Sequence, residues 1–189
     1  MGRIWSPGTP FSSTMGNMGK KSRDLVLCAL FAALLALCAW LSVPVGDLAV
    51  SMQSFGVLLA LGLLGGGRGT GTILTYLVLG AVGLPVFSGF RGGLGHLLGP
   101  TGGYLWGFLA GALVYWLGIT CTKGKLSALH MASALLCCYV CGTIWYGYAY
   151  LNGNYLGAAL RCVLPYLLPD LGKLLLADLL SRRLKRHLP

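Results

Sequence analysis

Glutamate is absent from this chain, aspartate occurs four times, and charged residues make up only 10% of it. A soluble domain carries about 25% charged residues, so a fold with a fully solvated surface is excluded. Catalytic signatures are missing as well. No Gly-x-x-x-x-Gly-Lys-Ser/Thr phosphate loop occurs, so the chain does not hydrolyse ATP by that route. There is no Gly-x-Ser-x-Gly elbow, no His-Glu-x-x-His pair and no pair of catalytic carboxylates. Gly67-Arg68-Gly69-Thr70-Gly71 is rich in glycine but lacks the βαβ setting of a nucleotide site, and it reads as a turn. No metal and no cofactor are expected.

What remains is apolar: 56% of the 189 residues are hydrophobic, and the mean hydropathy is +0.77. A membrane helix needs about 20 apolar residues. Runs of that kind fall at 24–43, 49–66, 70–87, 103–122, 126–151 and 157–181, separated by glycine, proline, asparagine and lysine turns. The expectation is an all-α integral membrane protein of six transmembrane helices. Residues 1–21 are expected to form a polar, disordered extension and 22–189 a single membrane-embedded domain. Such a chain is expected to carry a small molecule across the bilayer.

The net charge of +10 does not point to nucleic acid, because the basic residues cluster between apolar runs. With the N-terminus in the cytoplasm, eleven of the fourteen lysines and arginines fall on the inner side. Only Arg91 and Arg161 lie outside, and Lys173 lies within the last span. That asymmetry predicts both termini cytoplasmic. The seven cysteines sit mostly inside apolar runs, where cysteine acts as a small hydrophobe. Cys138-x-x-Cys141 has no second pair and so does not read as a metal or redox site. Small residues recur at four-residue spacing, which lets membrane helices approach closely. They are Ala29 and Ala33, overlapped by Ala32 and Ala36, and then Gly103, Gly107 and Gly111, for which internal packing is the simplest reading.

Charge inside a membrane span is costly and usually functional. Asp24 sits among the basic residues at the start of the first span, Asp47 lies in an outer turn, and Asp178 precedes Arg182 by one helical turn, the spacing of an ordinary ion pair. Asp170 follows Pro165 and Pro169 and precedes Lys173 by three residues, so both charges share a helix face. A carboxylate accepts hydrogen bonds and an ammonium donates them, which suits a ligand that displays N–H groups beside a carbonyl. The structural alternative is an ion pair that only holds the bundle together. If the last helix begins near the prolines, the pair lies in its outer half. The glycine-rich stretch 88–103, with Arg91 and His96, falls on the same outer side. Arginine clamps carboxylates through two hydrogen bonds, whereas a lone loop histidine is more often a packing residue.

Gly83-Leu84-Pro85-Val86-Phe87-Ser88-Gly89, running on to Gly99-Pro100-Thr101-Gly102-Gly103-Tyr104, resembles the BioY family, the biotin-binding S components of energy-coupling factor (ECF) transporters. The likeness extends from about residue 22 through Val50-Ser51-Met52-Gln53 to Pro169-Asp170-x-x-Lys173. It implies a biotin pocket near the outer surface, with Asp170 and Lys173 on the ureido head and Arg91 serving the same pocket. It implies that Ala29 and Ala33 form the surface that docks on a transmembrane coupling subunit. Two separate ATPase subunits would then supply the energy. The implied setting is the lipid of a prokaryotic plasma membrane, and the resemblance leaves room for a homo-oligomer when the chain stands alone. Three alternatives remain open: an S component for another water-soluble vitamin, an intramembrane enzyme using the Asp/Lys pair as acid and base, and a purely structural assembly protein.

Overall fold

The computed structural model of the chain describes residues 10–45, 48–123 and 126–185. The fold is mostly helical. Helix α1 spans Pro10–Trp40 and leads into a small antiparallel hairpin, β1 Ser42–Val45 and β2 Leu48–Ser51. Helix α2 follows at Gln53–Ala81, then a short α3 at Leu94–Leu97, α4 at Gly102–Cys121 and α5 at Ser127–Tyr150. The chain ends with α6 at Tyr155–Cys162 and α7 at Leu164–Lys185. Because α1 begins at Pro10, the expected extension 1–21 already carries helical backbone over its second half. Proline is well tolerated there, since its missing N–H has no partner in a first turn.

Among the described residues, four helical stretches are long and apolar enough to cross a membrane: Lys21–Trp40, Gln53–Ala81, Gly102–Cys121 and Ser127–Tyr150. One of the six expected spans therefore differs in form, and two others share one helix label. The expected 157–181 span is divided at Val163 into α6 and α7, and charges at Asp170, Lys173 and Asp178 lower the hydropathy of α7. The expected 49–66 and 70–87 spans correspond to the two arms of α2, which meet at Gly65, where the backbone takes φ 79° and ψ 179°. That region suits glycine, which has no Cβ to clash.

Gly65 is a reversal, not a bend. Gln53 Nε2 donates to Tyr76 Oη at 3.0 Å, yet 23 residues of continuous helix would separate them by roughly 34 Å. The arms 53–64 and 66–81 therefore lie antiparallel, and a Cβ at Gly69 would lie 3.0 Å from Leu61 Cα. The Gly103, Gly107 and Gly111 row does pack inside the molecule. A Cβ at Gly107 would lie 2.9 Å from the Cys138 carbonyl, and one at Gly111 2.5 Å from that of Ala134, so α4 and α5 touch backbone to backbone.

The two overlapping alanine pairs of α1 face opposite ways. Ala32 and Ala36 are buried, while Ala29 and Ala33 are exposed among Leu25, Val26, Leu30 and Leu37. Exposed leucines also cover α7, with Leu168 at 81%. The polar side chains, by contrast, are inside: Gln53, Ser54, Asp170, Lys173, Asp178 and Ser181 are all buried. A surface that is apolar outside and polar inside fits lipid as solvent and marks a multi-pass membrane protein.

Charge also separates along the bundle. Asp24 pairs with Arg68 at 3.1 Å and Asp178 with Arg182 at 2.9 Å, and Gly62 abuts Ser181. The opposite end carries the β-hairpin and the 82–101 segment, tied to α1 by Trp40 Nε1 donating to the Pro85 carbonyl at 2.8 Å. Trp40 also stacks on Phe90 at 4.8 Å. The turn proposed around Asp47 lies outside the described residues.

Candidate functional site

Helix α7 begins at Leu164, with Pro165 in its first turn, and it holds Asp170 and Lys173 in its first half. The two are only 7% and 9% exposed. Lys173 Nζ lies 2.7 Å from Asp170 Oδ1, an ion pair at i,i+3. Burying such a pair costs several kcal/mol per ion unless hydrogen bonds complete it, and here they do. Asp170 Oδ1 also accepts from Ser54 Oγ at 2.8 Å, and Oδ2 accepts from Tyr139 Oη at 2.7 Å. Lys173 Nζ donates in addition to the Ser51 carbonyl at 2.7 Å and to Ser54 Oγ at 3.3 Å. The end of β2, the start of α2, the middle of α5 and the first half of α7 meet at this one pair.

The pair opens on a cavity of about 680 Å³, a figure that includes the open solvent at its mouth. Its walls combine Leu105, Phe108 and Leu135 with Tyr104, Tyr139 and Tyr166, and its polar groups include Gln53, Ser88 and Thr101. A smaller apolar cavity of about 230 Å³ adjoins it, sharing Ser54, Phe108 and Leu135. His96 lies at the rim, outside the long helices, with Nε2 3.2 Å from Thr101 Oγ1 and its ring stacked on Phe87 at 5.3 Å. Burial, and then the positive charge of Arg91, lower its pKa below the usual histidine range. The rim therefore presents a neutral imidazole at pH 7. An apolar chamber with one ion pair and several neutral hydrogen-bonding groups can hold a compact molecule that is part apolar and part amide-like.

A profile of the BioY family matches residues 12–189. The chain belongs to the BioY family. The resemblance read from Gly83–Phe87 and Gly99–Tyr104 is thus borne out, and with it the assignment to a family of transporters, not enzymes. The chain is 38% identical over 165 residues to the probable biotin transporter BioY of Pyrococcus horikoshii, covering 87% of this chain and 98% of that one. It is 37% identical over 168 residues to the biotin transporter BioY of Thermotoga maritima, covering 87% and 96%. Its fold matches the crystal structure of the S component for biotin from an ECF-type ABC transporter. The TM-score is 0.80 at 25% identity, over 89% of this chain and 93% of that one.

The residues singled out from sequence do not all meet. Asp170 and Lys173 line the cavity. Arg91 does not: it is exposed, in the loop closed by the Phe87–Arg91 bridge, outside the cavity lining. A glycine-rich loop leaves an arginine's direction undetermined by sequence, and this one turns outward. Ala29 and Ala33 stand well apart, on the exposed face of α1. Cys138 lines the cavity as a buried thiol 3.5 Å from the Tyr104 carbonyl, and no metal-holding cluster occurs among the described residues.

Sequence reasoning passed over Ser54, Tyr139, Tyr104 and Tyr166. A polar Ser54 inside an apolar run carried a usable signal, since such residues in spans tend to be functional. The tyrosines carried none, because aromatic residues are common in membrane helices.

Proposed function

We propose that this chain is the high-affinity biotin-binding S component of an ECF transporter in the plasma membrane of a prokaryote. The observation that carries the reading is the buried, hydrogen-bonded Asp170–Lys173 pair in the cavity wall, in a chain whose relatives are named biotin transporters. Biotin has a cyclic urea, an apolar bicyclic body and a carboxylate tail. Asp170 accepts from a urea N–H. Lys173 donates to the urea carbonyl by yielding its longest hydrogen bond, the 3.3 Å contact with Ser54. The aromatic and leucine walls take the bicycle.

Six membrane segments follow from counting α1, the two arms of α2, α4, α5 and the α6–α7 unit. Both termini are cytoplasmic in this reading. Support comes from Arg68, Lys123, Arg182, Arg183 and Lys185 clustering toward the end away from the cavity, as the positive-inside rule requires. The cavity then opens outward. Ala29 and Ala33 provide the docking face for a transmembrane coupling subunit, and two ATPase subunits supply the energy that this chain cannot.

Calorimetric titration of the detergent-purified protein tests the ligand. Biotin is expected to bind tightly, while thiamine and riboflavin give no heat above dilution. Tight binding of either of the latter with none of biotin overturns the assignment in favour of another vitamin.

Arg91 keeps a rim role through charge alone. Arg91→Ala is expected to weaken biotin by about threefold or less, with no effect on biotin amide and none in 1 M salt, where the screening length falls to about 3 Å. A loss as large as that for an Asp170 variant, equal for both ligands, rules the long-range role out.

A further inference from the structure

The wall beside Asp170 carries a second acceptor, and the fold fixes its direction. Gln53 opens α2 next to Ser54, is 5% exposed and lines the cavity. Its Nε2 donates to Tyr76 Oη at 3.0 Å, and Tyr76 Oη donates to the Val86 carbonyl at 3.0 Å. A phenol has a single hydrogen. With that hydrogen on Val86, Tyr76 can only accept from Gln53, so a flipped amide would set oxygen against oxygen with no proton between them. The carboxamide is thereby locked with its NH₂ toward Tyr76 and its Oε1 toward Ser88, whose Oγ donates to it at 3.4 Å. Ser88 lines the same cavity. Tyr76 is 1% exposed and meets Phe87 edge-on at 5.5 Å, so the lock is closed to solvent.

A cyclic urea displays N–H, C=O and N–H in a row, and it asks its site for acceptor, donor and acceptor. Asp170 and Lys173 supply the first two. The carboxylate is already engaged by Ser54, Lys173 and Tyr139, which leaves it room for about one more donor among its roughly four lone-pair sites. The other N–H needs a second acceptor. Gln53 Oε1, with Ser88 as its one hydrogen-bond donor among the described residues, has a lone pair to give.

We infer that Gln53 contacts the ligand and determines its specificity by accepting the second urea N–H, and that Tyr76 is the positioning residue that fixes the amide in that sense. The inference rests on the biotin reading. The test crosses protein variants with ligand variants by calorimetry: wild type, Gln53→Leu and Tyr76→Phe, each titrated with biotin and with its two mono-N-methylated urea isomers. Wild type is expected to discriminate against both isomers. Gln53→Leu weakens biotin by about ten- to thirtyfold but weakens one isomer by no more than about twofold, so discrimination against that isomer alone collapses. Tyr76→Phe keeps the ring against Phe87 and frees the amide to turn; it lowers biotin affinity by about three- to tenfold and narrows the same preference. Equal losses for biotin and both isomers in Gln53→Leu overturn the inference while leaving biotin as ligand. If Gln53→Leu does not fold, an unchanged isomer preference in Tyr76→Phe overturns it. Failure of wild type to bind biotin at all removes the functional reading, and this one with it.

Discussion

Asp170→Asn is expected to leave a folded membrane protein that binds biotin about ten- to hundredfold more weakly by calorimetry. A charge-assisted hydrogen bond in a desolvated site is worth about 1.5–3 kcal/mol, which is that range in affinity. The substitution is nearly isosteric, so only one of Ser54 and Tyr139, which donate to different carboxylate oxygens, keeps a carbonyl oxygen to donate to. What changes is that one acceptor becomes an NH₂ group and Lys173 loses its counter-ion. Removing one partner of a buried pair strands the other, so a lower melting temperature accompanies the binding loss. Lys173→Ala acts on the same pair from the other side. It also frees the Ser51 carbonyl at the end of β2, which Lys173 now holds at 2.7 Å, and its affinity loss is expected to match that of Asp170→Asn. Because the residues act as a unit, the double variant should lose little more than either alone. Wild-type affinity in a well-folded Asp170→Asn protein would remove the pair from the ligand site.

The second large effect concerns transport without binding. Ala33 is exposed on α1, whereas Ala32, one residue earlier, is buried. Replacing Ala33 by Trp adds bulk to the outer face only, where close helix approach depends on small side chains. The expected result is biotin affinity within about twofold of wild type, a change of roughly 0.4 kcal/mol. Co-purification with the coupling subunit is lost, and uptake falls to background in cells that carry the energising module. Ala32→Trp is the contrast: that side chain points into the bundle, so overpacking costs about 1–3 kcal/mol or more and binding falls with the fold. Normal uptake by a stable Ala33→Trp protein would end the docking assignment.

The sequence alone determined the class of this protein. Long apolar runs with few charges leave lipid as the only solvent. The spacing of Asp170 and Lys173 was enough to place them on one face, because i,i+3 is a local helical relation that no packing alters. The glycine-rich motifs from Gly83 to Tyr104 were enough to reach the family. The tertiary structure decided what joins distant parts of the chain. Ser54 reaches Asp170 across 116 residues and Tyr139 across 31, and local periodicity carries no information on such pairings. Periodicity alone could not tell the two alanine pairs of α1 apart, since in a membrane the lipid-facing side of a helix is as apolar as its packed side. For the same reason Arg91, on a loop with many permitted directions, was expected in the cavity and stands outside it, while Gln53, hidden in an apolar run, lies in its wall.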